Sequence, residues 1–256
     1  MNRAVTASAR PAGAGSSPAD SSSAAHRPSP PPRIGAVVLA GGRARRLDGA
    51  PKPLLLAEGR TLLARTLDAL DAAGVAREDT VLVGPDSLVE RPEASGRRVV
   101  REDPPFTGPV AAIEAGVAAL LGGESDDGAS DVGNDGPGTL FTLAADMPGV
   151  AAGVHALLDA AVPALTDAAG EDLPDAWVGE SDADGPSPRT ENLLALHRAA
   201  PLCAALAGMR TRDQAVRSLL AQLRITAVPL PAGAADDVDT WEDAERLGVR
   251  PAEGTA

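Results

Sequence analysis

IGAVVLAGGRARRLDGAPKPLL (residues 34–55) opens with six residues that are almost wholly apolar and half β-branched. A continuous apolar run of this length predicts a strand buried on both faces of a parallel sheet. Gly41 and Gly42 end the run and permit a tight turn with exposed backbone N–H groups. Arg43, Arg45 and Arg46 follow at once, and Lys52 closes the basic segment before Pro53. A glycine turn dense in cations, at the carboxyl end of a strand, is suited to binding an anion. The glycine spacing is not that of a P-loop, the lysine precedes Pro53 rather than Ser or Thr, and no G-x-G-x-x-G follows. Lys52 is the only lysine of the chain. A compact ammonium on a flexible stem suits crowded phosphates better than a planar guanidinium fork does. Taken alone, Lys52 reads equally well as a solvated surface residue.

Beyond this stretch the chain alternates. Leu62, Leu63, Leu67 and Leu70 predict a helix over 62–73, followed by strands at 80–83 and 98–101. An Ala-rich helix is expected over 110–121, entered through Pro109, then a strand at 140–143 and a helix over 150–161. Strands are expected at 176–178, 193–197 and 225–230, with helices near 202–207 and 213–223. A final helix over 240–247 is capped by Thr240. Such alternation predicts an α/β three-layer sandwich with a mainly parallel, Rossmann-like sheet, binding ligands beyond the carboxyl ends of its strands. Three loops in those positions carry polar residues: the basic loop, Glu102-Asp103-Pro104, and the segment 144–148.

The 256 residues suffice for one α/β domain with tails. Residues 1–32, rich in Ala, Ser, Pro and Gly, read as a disordered tail, 33–250 as the domain, and 251–256 as a C-terminal tail. The stretch 122–138 reads as a flexible acidic insertion. With two Phe, two Trp and no Tyr, the core must be packed from Leu, Val, Ala and Ile. A net charge of −13 argues against nucleic acid as a partner, and it sharpens the contrast with the cationic turn. Cys203, the single cysteine, excludes a disulfide framework or multi-cysteine metal site and reads as a small hydrophobe on a helix. No apolar run reaches the length of a membrane span and no signal-peptide core is evident, so no membrane partner and a cytoplasmic location are expected.

Asp146 follows the strand and precedes Met147-Pro148. It reads either as a turn or cap residue or as a lone carboxylate holding Mg2+ beside substrate phosphates. Glu102 and Asp103 also lie just past a strand, and Asp236, Asp237 and Asp239 form a third cluster. For Asp236 a solvated loop is the expected role; Asp146 and Asp239 would bring two distant loops to one metal. No nucleophilic triad is evident, and His155 and His197 read as structural. If the nucleophile is a phosphate, already ionised at neutral pH, catalysis reduces to positioning and charge neutralisation by Lys52, Arg46 and Mg2+.

The stretch 39–55 resembles the signature L-A-G-G-x-S/A-x-R-M/L-G-x-x-K-x-L-L of the molybdenum cofactor guanylyltransferases and their nucleotidyltransferase relatives. The resemblance continues through REDPPFTGPVAAIEAG (101–116), LAADMP (143–148) and DDVDTWEDAERL (236–247), four motifs in the family's order. It implies a fold of the nucleotide-diphospho-sugar transferase type and transfer of GMP from GTP to molybdenum-molybdopterin, with pyrophosphate released. It implies backbone contacts to the nucleotide from Leu39, Ala40 and Gly41, with Gly42 in the same turn. Lys52 would bind the phosphates, Asp103 the nucleoside, and Asp146 the Mg2+. GTP, a molybdopterin-type acceptor and other molybdenum cofactor biosynthesis proteins are the expected partners. Gly84 falls in the nucleotide site where some members carry an asparagine, and Trp241 replaces a proline. Residues 189–198 depart from the R-P-Q-P-L of the acceptor-facing region. Leu39-Ala40-Gly41-Gly42, rather than the T-A-A-G of cytidylyl relatives, favours GTP over CTP. The alternatives are guanylyl or cytidylyl transfer to another small phosphorylated metabolite, or a nucleotide-binding regulator without catalysis.

Overall fold

The computed structural model describes residues 33–42, 44–122, 136–167, 173–181 and 189–252. They fall in the second of two compact units, Pro31–Ala256. The expected tail at 1–32, most of the insertion, and residues 253–256 lie outside the described residues.

Strand β1 (Ile34–Leu39) leads through the basic loop to a short hairpin, β2 (Leu56–Ala57) and β3 (Arg60–Thr61), and then to α1 (Leu62–Ala72). Strands β4 (Thr80–Val83) and β5 (Arg98–Val100) precede α2 (Pro109–Leu121). Next come β6 (Thr139–Ala144), α3 (Val150–Asp167), β7 (Ala176–Ser181) and β8 (Arg189–Arg198). Helices α4 (Ala199–Ala207) and α5 (Val216–Leu220) lead to β9 (Ile225–Pro229), α6 (Trp241–Arg246) and β10 (Val249–Arg250).

The large sheet runs β5-β4-β1-β6-β8-β7-β9. Among the described residues of this sheet, the pairings of β8 with β6 and with β7 are antiparallel and the others are parallel, as the alternation predicted. Successive residues of the central strands feed opposite faces. Val38, Leu82 and Phe141 pack with Leu67 and Leu70 of α1 and Val154 and Leu157 of α3. Val37, Val81, Val83 and Leu140 pack with Ile113 and Val117 of α2 and Leu202 and Leu219 of α4 and α5. The continuous apolar run of β1 is therefore required: both of its faces are core. The chain steps from β1 to β4 on one side and later to β6 on the other, so a switch point lies between β1 and β6. There Leu39 pairs with Ala144, and the Ala145 N–H donates to the Leu39 carbonyl at 3.0 Å. This register sets the glycine turn beside Asp146.

A second sheet, β10-β2-β3, was not expected; its two-residue strands are too short to leave a periodic signal. It buries Leu47, Leu55 and Leu62 against Val238, Ala244 and Val249, joining the basic loop to the end of the chain. Helix α3 continues past the expected end at 161, through Pro163, because Ala164 and Leu165 still pack on the core while Pro163 faces solvent. Helix α5 is shorter than the expected 213–223. Asp213 takes a left-handed φ of 58° and its N–H donates to the Thr107 carbonyl, anchoring a loop instead of starting a helix. Strand β8 begins earlier, at Arg189, and runs antiparallel. The cap at Thr240 is as expected: its hydroxyl accepts from the Asp243 N–H, and Asp243 returns the bond to the Thr240 N–H. Among the described residues no helix is long and apolar enough to cross a membrane.

Candidate functional site

Beyond the carboxyl end of β1, the Ala40 N–H is tied to the Val83 carbonyl, so Gly41 passes closely over Gly84. A Cβ on Gly84 would lie 2.7 Å from Leu88 and 3.0 Å from the Ala40 carbonyl oxygen. No side chain fits there, and the floor of the site stays flat. Above it lie two lobes. One, about 500 Å³, is lined by Leu39, Arg45, Gly108, Pro109 and Leu193 among others. The second, about 270 Å³, is lined by Ala40, Lys52, Gly84, Pro85 and Arg101. Gly41, Gly42, Glu102, Phe106 and Asp146 line both lobes, which therefore meet at these five residues.

Charge concentrates around Asp146, one of these five. Lys52 Nζ donates to Asp239 Oδ1 at 2.5 Å and to Asp146 Oδ2 at 3.3 Å. Arg46 stands 3.8 Å from the other oxygen of Asp239. Asp146, Asp237 and Asp239 each place one carboxylate oxygen within 4.8 Å of the others. Burial pushes the Asp146 carboxyl above its ordinary pKa; Lys52 opposes the shift, and Asp237 and Asp239 add to it. Asp237 is raised as well, by burial and then by Asp239. Burial works to lower the Lys52 ammonium, but its bonds to Asp239 and Asp146 and their charges outweigh that and hold it above its ordinary value. Three carboxylates facing one bonded ammonium leave negative charge that a divalent cation would offset. Asp146 Oδ1 is buried and has no hydrogen-bond partner, so it offers such a cation a lone pair. The donor set, all oxygen, fits Mg2+ or Mn2+. The side chain of Asp146 is directed to Lys52 and this cluster.

Lys52, Arg46, Asp146 and Asp239, named from the sequence, are thus brought together from three loops. Leu39, Ala40, Gly41, Gly42 and Gly84 line the lobes. Asp103 does not: it is exposed, and its carbonyl accepts from Arg212. Its neighbour Glu102 lines both lobes, and its carboxylate accepts the Phe106 N–H at 2.8 Å. Asp237 joins the acid cluster, and the alternation in Asp237-Val238-Asp239 is the signal for it: Val238 is buried and the two flanking carboxylates turn outward together. Asp236 bonds Arg246 at the surface, as expected of a solvated loop. His197 lies inside the sheet against Thr142, His155 faces solvent on α3, and Cys203 packs on the core as a small hydrophobe.

Residues 36–227 match the MobA-like NTP transferase domain. The chain belongs to that family. Asp237 and Asp239 lie beyond the matched region of the MobA-like domain. A molybdenum cofactor guanylyltransferase of Burkholderia lata is 36% identical over 93 residues, covering 34% of this chain and 43% of that protein. The chain thus aligns with less than half the length of the curated relatives it matches. Among solved structures, Rv0371c of Mycobacterium tuberculosis is similar at a TM-score of 0.58 and 22% identity, covering 86% of this chain and 98% of that one. It has also been solved in complex with manganese. The molybdopterin-guanine dinucleotide biosynthesis protein A of Archaeoglobus fulgidus is similar at a TM-score of 0.54 and 20% identity, covering 83% and 95%. At these identities the structural likenesses establish the MobA-like fold alone.

Proposed function

We propose that the protein transfers GMP from GTP to the terminal phosphate of a molybdopterin-type acceptor, with Mg2+ and release of pyrophosphate. The observation that carries this reading is that Lys52 and Asp239 gather on Asp146, which lines both lobes beside a glycine turn. Donor and acceptor would take one lobe each and meet at Asp146. The backbone N–H groups of Gly41 and Gly42 and the Lys52 ammonium would hold the triphosphate, with Arg46 neutralising charge at the same edge. Asp146 and Asp239, with Asp237, would hold the metal, which supplies charge stabilisation to the transferring phosphoryl group. An acceptor phosphate oxygen forms the new bond to the α-phosphorus, and the bond from that phosphorus to the β-bridging oxygen breaks, releasing pyrophosphate. The nucleophile is already an anion, so no general base is assigned. The names of the Burkholderia and Archaeoglobus relatives support the acceptor, and the manganese complex of the mycobacterial neighbour supports a divalent metal.

A second acceptor is favoured by one observation. A third pocket that Asp146 also lines, about 180 Å³, is bounded by Arg189, Glu191, Asn192 and Asp237, in the segment that departs from the R-P-Q-P-L of the resemblance. The test is pyrophosphate release from each of four nucleoside triphosphates, with Mg2+, with and without molybdopterin. Release from GTP that requires molybdopterin is expected. Release with another phosphorylated acceptor would move the assignment to that metabolite, and GTP binding without turnover on any acceptor would leave a nucleotide-binding regulator.

A further inference from the structure

Aromatic side chains are scarce here, two Phe and two Trp in 256 residues, and the structure buries Phe141 and Trp177 completely. Phe106 is used differently. It is 49% exposed, and it stands in the loop between β5 and α2 with a left-handed φ of 66°. A bulky residue seldom adopts that conformation, and such strain persists only where the surroundings impose it. They do so from several sides. Glu102 accepts the Phe106 N–H, Thr107 bonds back to the Pro104 carbonyl, and the Asp213 N–H clamps the Thr107 carbonyl. The Arg101 guanidinium lies 5.3 Å from the centre of the ring. About half of the residue nevertheless stays accessible to solvent.

What the arrangement achieves is placement: Phe106 lines both lobes at their junction. The smaller lobe has Lys52 and the glycine turn at one end, and Gly84, Pro85, Arg101 and Phe106 also line it. If phosphates take the cationic end, as the nucleotidyl-transfer reading requires, the base falls among Gly84, Pro85, Arg101 and Phe106. We infer that Phe106, with the Arg101 guanidinium beside its ring, is the stacking wall for the nucleobase. An aromatic ring gives a base a stacking surface whatever its hydrogen-bonding edge, and a guanidinium lining the same lobe adds a cationic plane on which a base can also rest.

Two variants and two ligands test this. Phe106→Gly removes the ring and relieves the left-handed backbone, whereas Phe106→Trp keeps an aromatic face. Binding is measured calorimetrically with GTP and with inorganic tripolyphosphate, which has charge but no base. Stacking of this kind corresponds to a roughly 5- to 150-fold loss on removal of the ring. Phe106→Gly is expected to weaken GTP binding by at least about fivefold. It should leave tripolyphosphate affinity unchanged and melt no lower than the wild type; Phe106→Trp should bind GTP as the wild type does. Equal GTP affinity in wild type and Phe106→Gly would overturn the stacking role. Equal losses for GTP and tripolyphosphate would do the same, by showing that the ring only shapes the loop. Failure of the wild type to bind either ligand would instead sink the nucleotidyl-transfer reading on which this inference rests.

Discussion

Lys52→Met tests the electrostatic centre of the site directly. Methionine keeps an unbranched stem of similar reach while removing the ammonium. The variant strands Asp146, whose second carboxylate oxygen already has no partner, next to Asp237 and Asp239. Breaking a fully buried pair costs about 3–5 kcal/mol. Here Lys52 and Asp146 are 20% and 19% exposed and Asp239 is 48% exposed, so solvent screens part of the loss. The expected destabilisation is about 1–2 kcal/mol. In a domain of this size that lowers Tm by roughly 2–8 °C. Added Mg2+ should reverse the loss, because a ligand at a hundred times its Kd contributes about 2.7 kcal/mol. The wild type should gain less from Mg2+ alone, since its ammonium already sits among the carboxylates a metal would use. Calorimetric melts of both proteins at neutral pH, with and without Mg2+, give the four values needed. An unchanged Tm in the variant, or an equal Mg2+ shift in both proteins, would refute the idea that Lys52 serves as the resident cation of this cluster.

Two further predictions concern the core. Burial lowers the His197 pKa from 6.5 to about 4. The neutral folded imidazole therefore contributes stability above pH 6.5 that is lost as pH falls toward 4, about 3 kcal/mol in all, while the unfolded chain takes up the proton; urea unfolding of His197→Gln should show a flatter profile across that window, and an identical profile would assign the acid sensitivity to other groups. A Cβ on Gly116 would lie 2.3 Å from Val37 Cγ1 and 2.9 Å from Val83 Cγ2, so Gly116→Ala should destabilise by about 1–3 kcal/mol despite its better helix propensity. A urea midpoint equal to or above the wild type's would show that α2 has room to lift from the sheet.

Much of this architecture can be read from residues 34–55 and 139–148, because an apolar run with both faces buried, followed by glycine or aspartate, has few other interpretations. Strand direction is another matter. The side chains of β8 alternate in the same way whether the strand runs up or down, so its antiparallel course is set by tertiary pairing. The hairpin of β2 and β3 is too short for periodicity to register. At the site, Lys52 and Asp146 stood out by isolation and position. Choosing between Glu102 and Asp103 required the loop's path, which depends on the left-handed Phe106 and on the distant Asp213 clamp. Asp237 and Asp239 sit in an acidic run, and only the burial of Val238 separates them from their solvated neighbour Asp236.

The basic loop is made early in synthesis and completed late. Asp239 bonds Lys52 across 187 positions, Trp241 bonds Asp48 across 193, and β10 pairs with β2. Until residues 237–250 have been made, the chain carries the glycine turn and Asp146 with neither the second and third carboxylates nor the strand that pins the loop. A stop codon anywhere between Pro229 and Asp237 would leave every strand of the large sheet encoded and the acid cluster unfinished.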